Sequence, residues 1–185
     1  MTSEEELVKK VMAGDSRASK QLIVDYQALV FHMIARVIKN KEDAEDVAQE
    51  VFIKIFHYLP SFKFQSKLST WIASIAYRMA LNYLDKKRLL ISDKELDQVA
   101  VAQLEKADTS LIKAETKEYV QELIDQLPAQ YRLVLMLYHM EEFDYQEIQE
   151  ITGMPEGTVK NYLFRARKLL KEKISPNTKN TLLYG

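Results

Sequence analysis

Residues 144–171 read Asp144-Tyr145-Gln146-Glu147-Ile148-Gln149-Glu150-Ile151-Thr152-Gly153-Met154-Pro155-Glu156-Gly157-Thr158-Val159-Lys160-Asn161-Tyr162-Leu163-Phe164-Arg165-Ala166-Arg167-Lys168-Leu169-Leu170-Lys171. Asp144 and Glu147 have the spacing of a capping box, with aspartate as the cap. Ile148 and Ile151 mark the buried side of a short helix, and Gly153 suits the left-handed residue that ends one. Pro155 stands at the start of the next helix. There Val159, Leu163, Ala166 and Leu170 share one face, which leaves Thr158, Lys160, Asn161, Phe164, Arg165 and Lys168 on the other. A helix, a short glycine-bearing turn and a helix with a basic outer face make a helix-turn-helix. Its second helix fits a major groove, where Lys and Arg bond guanine, Asn pairs with adenine and an exposed Phe packs on a thymine methyl. Taken alone, Phe164 reads better as a partly buried core aromatic, and Arg165, Arg167, Lys168 and Lys171 as a solvated face. The complete pattern favours DNA.

Outward from this motif, almost every segment repeats its apolar positions at three and four, so the chain is expected to be all-α. Helices are expected over 4–13, 16–39 (as one or two), 42–59, 70–88 and 128–140, with a loop over 61–69. Pro60 closes the third of these, and Pro128 is placed in the first turn of the last, where its missing N–H has no intrahelical partner. Residues 91–114 are polar and acidic and read as a linker. The fold class is therefore two small helical domains, 1–90 and 115–175, joined by a flexible linker over 91–114, with a loose tail over 176–185.

Composition agrees. Of 185 residues, 47% are hydrophobic and 29% charged, enough for a core and unlike a disordered chain. Only 4 Gly and 4 Pro argue against a turn-rich sandwich or barrel. The absence of Cys excludes disulfides, thiolate metal sites and cysteine nucleophiles. The acidic start, Met1 to Glu6, is unlike a signal peptide, and no apolar run approaches the ~18 residues of a membrane span. A cytoplasmic protein with no membrane contact of its own is expected. The net charge of −1 hides strong segregation: residues 54–90 carry +6 and 155–185 carry +5, separated by acidic stretches. Two basic blocks can hold DNA at two places while an acidic face serves another partner.

That acidic face lies on the helix over 42–59. Ala44, Val47, Ala48, Val51, Ile55 and Leu59 form its apolar stripe, whereas Asp46, Gln49, Glu50 and Ile53 share a second face. Dipole complementation accounts for Glu42 and Asp43. It accounts poorly for Gln49, Glu50 and an exposed Phe56, which suit docking on a basic partner helix. Next, Phe62-Lys63-Phe64-Gln65-Ser66-Lys67-Leu68-Ser69-Thr70-Trp71-Ile72 interleaves aromatic and basic residues in a loop entering a helix. The exposed side of that helix is expected to show Thr70, Ser74, Arg78 and Asn82. Stacking surfaces and cations together suit single-stranded DNA, although Phe62 and Trp71 read at least as well as core.

Ala44-Glu45-Asp46-Val47-Ala48-Gln49-Glu50-Val51-Phe52, Ser69-Thr70-Trp71-Ile72, and Gly157-Thr158-Val159-Lys160 with Phe164-Arg165-Ala166-Arg167 occur in that order. Together they closely resemble a bacterial RNA polymerase sigma factor of the extracytoplasmic-function (ECF) group, in the sigma-70 superfamily. The resemblance spans residues 16–90 and 115–174 and implies sigma domains 2 and 4. It implies that Asp46, Gln49, Glu50, Ile53 and Phe56 bind polymerase core, chiefly the β′ coiled coil, with further contact to β. It implies that Lys63, Phe64, Gln65, Ser66, Lys67, Trp71, Ser74 and Arg78 read and melt the promoter −10 element, holding one base out of the stack. Thr158, Lys160, Asn161, Phe164, Arg165 and Lys168 would read the −35 element as duplex. Partners would be core polymerase, promoter DNA and an anti-sigma factor. No cofactor is expected. Two departures fall in the −10 reader: the family usually has Asn where this chain has Arg78, and often a Gly within the loop here reading Phe64-Gln65-Ser66-Lys67.

Two other readings compete. A DNA-binding regulator could use the same helix-turn-helix without polymerase, but it has no use for the Asp46/Gln49/Glu50 face. An enzyme lacks support: His32, His57 and His139 are dispersed in apolar helical contexts, and neither Asp43/Asp46 nor Glu141/Glu142 has a convergent base, nucleophile or metal pattern beside it. No catalytic or metal residue is expected.

Overall fold

The computed structural model describes residues 3–38, 40–92 and 112–174. The linker expected over 91–114 falls mostly outside them, and the tail expected over 176–185 wholly so. The described residues form eight α-helices and one 3-10 turn, with no strand among them. The order is α1 (Ser3–Met12), α2 (Ser16–Ala35), α3 (Lys41–Tyr58), the 3-10 turn Leu59–Ser61, α4 (Leu68–Ser92), α5 (Ile112–Asp125), α6 (Ala129–His139), α7 (Tyr145–Thr152) and α8 (Glu156–Lys173).

Local chemistry sets most of these boundaries. The Asp15 carboxylate accepts from the backbone N–H of Arg17 at 2.8 Å and of Ala18 at 3.2 Å, which starts α2. Asn40 starts α3 by accepting from the Asp43 N–H at 2.9 Å. Both expected helix-starting prolines stand one position earlier than sequence suggested. Pro128 and Pro155 precede α6 and α8 with extended ψ values of 140° and 145°. Their carbonyls accept the first bonds, from Arg132 at 3.0 Å and from Thr158 at 2.8 Å. A proline there also forfeits no intrahelical bond. Helix α2 stops at Ala35 rather than near residue 39, and α4 is longer than expected, starting at Leu68 and reaching Ser92.

The capping box forms as the spacing required. The Asp144 carboxylate accepts from the Glu147 N–H at 2.9 Å, and the Glu147 carboxylate accepts from the Asp144 N–H at 2.9 Å. Gly153 closes α7 in the left-handed conformation, with φ 73°.

The N-terminal block packs Leu22, Val30, Met33 and Ile34 of α2 with Val47, Val51 and Ile55 of α3 and Leu68, Ile72, Ala76 and Ala80 of α4. The C-terminal block packs Leu133, Val134 and Leu137 of α6 with Ile148 and Ile151 of α7 and Val159, Leu163 and Ala166 of α8. Burying one such large side chain contributes about 1.5–3 kcal/mol. Packing therefore holds helices as short as α7, which would be marginal alone. The two blocks also meet, because α7 lies along α4.

A Cβ placed on Gly153 meets no atom within 4 Å. Gly153→Ala should therefore cost only the left-handed backbone penalty, about 1 kcal/mol. A thermal melt should show a midpoint lowered by roughly 3 °C. An unchanged midpoint would mean that the turn does not need glycine.

Candidate nucleic-acid interface

Helix α8 is anchored by Val159, Leu163 and Ala166, all buried, and this fixes what it shows to solvent. Lys160, Asn161, Phe164, Arg165 and Lys168 are exposed, and Thr158 is half-buried. Phe164 is 66% exposed, which removes the core alternative for it. These side chains are held before any ligand arrives. Arg165 Nε donates to Asn161 Oδ1 at 3.1 Å, and Arg165 Nη1 lies 3.4 Å from the Tyr131 hydroxyl. Lys160 pairs with Glu156, which raises its ammonium above the ordinary lysine range. Its Nζ also sits 5.3 Å from the centre of the Tyr145 ring.

Tyr145 opens a stack that sequence reading did not find. Its ring lies on Tyr138 at 5.2 Å, and the Arg167 guanidinium lies over Tyr138 at 5.3 Å. Arg167 Nε donates to His139 Nε2 at 3.2 Å. Two tyrosines thus carry a cation at each end, from Lys160 to Arg167. The two rings come from different helices seven positions apart, so no single-helix periodicity could have signalled it.

The loop into α4 is built on aromatic contacts. Phe62 is buried, with its ring 4.7 Å from Phe64 and 5.2 Å from Trp71, which is half-buried. Phe64 is exposed and has φ 55°, a left-handed value that non-glycine residues seldom adopt. Lys63, Gln65 and Lys67 are exposed and Ser66 is half-buried. Arg78 is exposed, with Nε donating to the Ser74 carbonyl at 3.1 Å and Nη2 to Ser74 Oγ at 3.0 Å.

Two expected surface residues of α4 are not on the surface. Thr70 is fully buried and Ser74 is 4% exposed. The Ser74 hydroxyl is turned back onto the Trp71 carbonyl at 2.8 Å. Thr70 meets the C-terminal block, its hydroxyl donating to Glu147 Oε1 at 3.1 Å. Lys67 Nζ reaches the same oxygen at 3.0 Å, and this contact raises the lysine above its ordinary range. Two more ties join the blocks: Arg36 Nη1 to Asp125 Oδ1 at 2.9 Å, and His32 Nδ1 to Glu141 Oε1 at 2.8 Å. These partners lie 77 to 109 residues apart in sequence.

Helix α3 shows Asp46, Gln49 and Glu50, all exposed. Ile53 follows them and is 67% exposed. Phe56 departs from expectation. It is half-buried and packs on the core, because it neighbours Ile55 and Leu59 on the buried edge of the helix.

The model of Sigma-70 region 2 matches residues 22–89, and that of Sigma-70 region 4 matches residues 117–170. The ECF RNA polymerase sigma-E factor of Escherichia coli K12 is 31% identical, over 92% of this chain and 93% of that one. The RNA polymerase sigma-H factor of Pseudomonas aeruginosa is 30% identical, over 94% of each chain. This chain is an ECF sigma factor of the sigma-70 family. Its fold is similar to that of the sigma factor RpoE of Bartonella quintana, solved with the anti-sigma factor NepR. That likeness has a TM-score of 0.64 and 22% identity, covering 83% of this chain and 94% of that one. CnrH, solved with the cytosolic domain of CnrY, gives a TM-score of 0.62 and 18% identity, covering 90% of this chain and 94% of that one.

In this sigma factor, region 2 contains the acidic α3 face and the aromatic loop, and region 4 contains the whole helix-turn-helix. The α4–α7 contact joins the two regions. Among the described residues no group of three or more His, Cys, Asp or Glu could hold a metal ion, and no helix is long and apolar enough to cross a membrane.

The sigma factor's His139 is pushed below the ordinary imidazole range, first by burial and then by Arg167. The neutral ring is thus favoured by folding. Its contribution to stability is complete above the unfolded value of about 6.5 and is lost as pH falls through the lowered folded value. His139→Gln should flatten the acid side of the thermal-midpoint profile below about pH 6.5. Overlapping profiles for the variant and the parent would show that the ring does not couple to folding.

Proposed function

We propose that this sigma factor is a dissociable specificity subunit that brings RNA polymerase core to promoters and leaves RNA synthesis to the core. The observation that carries this is the pairing, in one chain, of a DNA-reading α8 with a second surface unsuited to DNA. Asp46 and Glu50 would repel phosphates, and the same helix face continues through Gln49 to Ile53, a large apolar side chain left mostly in water. An exposed apolar side chain beside carboxylates fits a basic helical partner. We assign that partner as the β′ coiled coil of core, with β as a further contact and Phe56 supporting the face from its half-buried position.

The −35 element would be read as duplex by Lys160, Asn161, Phe164 and Arg165 near the start of α8, with Thr158 beside them and Lys168 nearer the phosphates. Asn161 and Arg165 bond each other through Oδ1 and Nε, which holds both side chains and leaves the Asn161 NH2 and further guanidinium N–H groups as donors for DNA. The −10 element would be met by Lys63, Phe64, Gln65, Ser66 and Lys67, with Trp71 backing the aromatic step and Arg78 at its margin. Ser74 acts behind Arg78, by fixing its guanidinium. The overall charge of −1 suits such a subunit, since a strongly basic free chain would be spread over non-specific DNA. An anti-sigma factor in the cytoplasm is the expected inhibitory partner, and the factor itself is not an enzyme.

Run-off transcription with cognate core on a promoter library tests this reading. Defined start sites should appear with the parent chain. They should fall at least about tenfold with Asp46→Lys/Glu50→Lys, as expected when interface charges are reversed. Duplex binding without initiation by the parent chain would instead indicate a regulator that does not use core.

A further inference from the structure

Helix α6 packs against α8 and brings two tyrosines, Tyr131 and Tyr138, seven positions apart. Seven residues return to nearly the same face of a helix, about 10 Å further along it. Both rings are half-buried and rest on the core. The Tyr131 ring meets Tyr162 of α8 edge-on at 5.0 Å, and the Tyr138 ring is stacked on Tyr145 at 5.2 Å. Neither ring is therefore free to swing.

Each tyrosine meets one arginine of α8. The Tyr131 hydroxyl accepts from Arg165 Nη1 at 3.4 Å, and the Tyr138 ring centre lies 5.3 Å from the Arg167 guanidinium. Asn161 and His139 complete the two seats by accepting from the Nε atoms of Arg165 and Arg167, at 3.1 and 3.2 Å. Residues two apart on a helix point about 200° from one another, so Arg165 and Arg167 stand on opposite edges of α8. A helix with its side chains is as wide as the major groove, roughly 12 Å, so each edge of a helix in the groove faces its own wall.

The two seats share a chemistry. Lys10, Arg36, Lys41, Lys67, Lys87 and Lys160 each pair with a carboxylate, whereas among the described residues no ion pair reaches Arg165 or Arg167. Their partners are a hydroxyl, an amide, a ring face and an imidazole that burial and Arg167 itself push toward the neutral form. Such partners restrict a long side chain without neutralising it. An arginine ordered beforehand loses less rotamer freedom when it binds.

We propose that Tyr131 and Tyr138 are positioning residues of the −35 reader: they hold Arg165 and Arg167 charged and ordered on the two edges of α8, which adds Arg167 to the duplex-binding residues as a phosphate contact. The inference rests on reading α8 as the −35 contact. Tyr131 acts through Arg165 and so on the choice of one base pair. Tyr138 acts through Arg167 and so on the grip of the backbone, whatever the sequence.

The test uses holoenzyme rebuilt from cognate core and the full chain, on a duplex carrying a promoter found by run-off transcription. Binding is measured in the cold, with the duplex closed, over a salt series. Arg165→Gln should relax the preference for one −35 base pair about tenfold. Tyr131→Phe removes only the hydroxyl. It should relax the same position about threefold, and no further in an Arg165→Gln background. Arg167→Gln should weaken binding to every −35 variant alike and reduce the salt slope by about one. Tyr138→Leu should weaken binding about threefold at an unchanged slope, because Arg167 keeps its charge, and should add nothing in an Arg167→Gln background. His139→Ala, at an exposed position, should behave in the same way and covers the case that Tyr138→Leu does not fold.

Tyrosine effects of equal size with and without the arginines would mean that the rings act through packing alone, and they overturn the proposal. So does an Arg167→Gln holoenzyme with the salt slope of the parent. Either result from a holoenzyme that initiates at defined sites sinks this inference alone. Absence of start sites removes the −35 reading and this inference together.

Discussion

Helix α4 has α2, α3 and α7 packed against it, and the arrangement of everything else follows from how it tolerates that crowding. Ala73, Ala76 and Ala80 are fully buried and leave room for neighbouring helices to approach. The same crowding buries Thr70 and Ser74, whose hydroxyls would be costly without partners. Ser74 is satisfied within its own helix, at the Trp71 carbonyl. Thr70 is satisfied only across the chain, by Glu147. One short polar side chain thus ties the packing of region 2 to the position of region 4.

Region 4 shows how directly local rules can act. Asp144 and Glu147 fix where α7 begins, Gly153 fixes where it ends, and Val159, Leu163 and Ala166 fix which face α8 presents. Each of these depends on neighbours within four residues, so each was legible in the sequence. Region 2 was legible in its apolar stripes and its acidic α3 face for the same reason. Phe56 was placed too far out because it lies at the edge of the buried stripe, where helical angle alone does not decide exposure. The fate of Thr70 and Ser74 was not legible at all. Their burial comes from the helices packed against α4, and nothing near them in sequence announces it. The same holds for Arg36–Asp125 and His32–Glu141, pairs set by docking rather than by periodicity.

Electrostatics divides the labour. The carboxylates at Asp46 and Glu50 face solvent. Those at Glu141 and Glu147 face the other block, where they meet donors. An average charge near zero is therefore no sign of indifference to nucleic acid; it is the sum of separated faces of opposite sign. The tyrosine stack from Lys160 to Arg167 serves the same end on α8, holding long cationic side chains in a few orientations.

Phe64 carries a consequence for timing. Holding a non-glycine residue at φ 55° costs about 1–2 kcal/mol, and its ring contact with Phe62 offsets about 0.5–1.5 kcal/mol of that. The loop is thereby a stiff step with one shape, where a glycine would have made a hinge. Its conformational freedom is surrendered when the chain folds, so on the proposed −10 reading an incoming base would meet a surface already set and lose less on binding it. The same stiffness leaves that surface little ability to adjust, so this loop should discriminate by geometry more sharply than a pliable one.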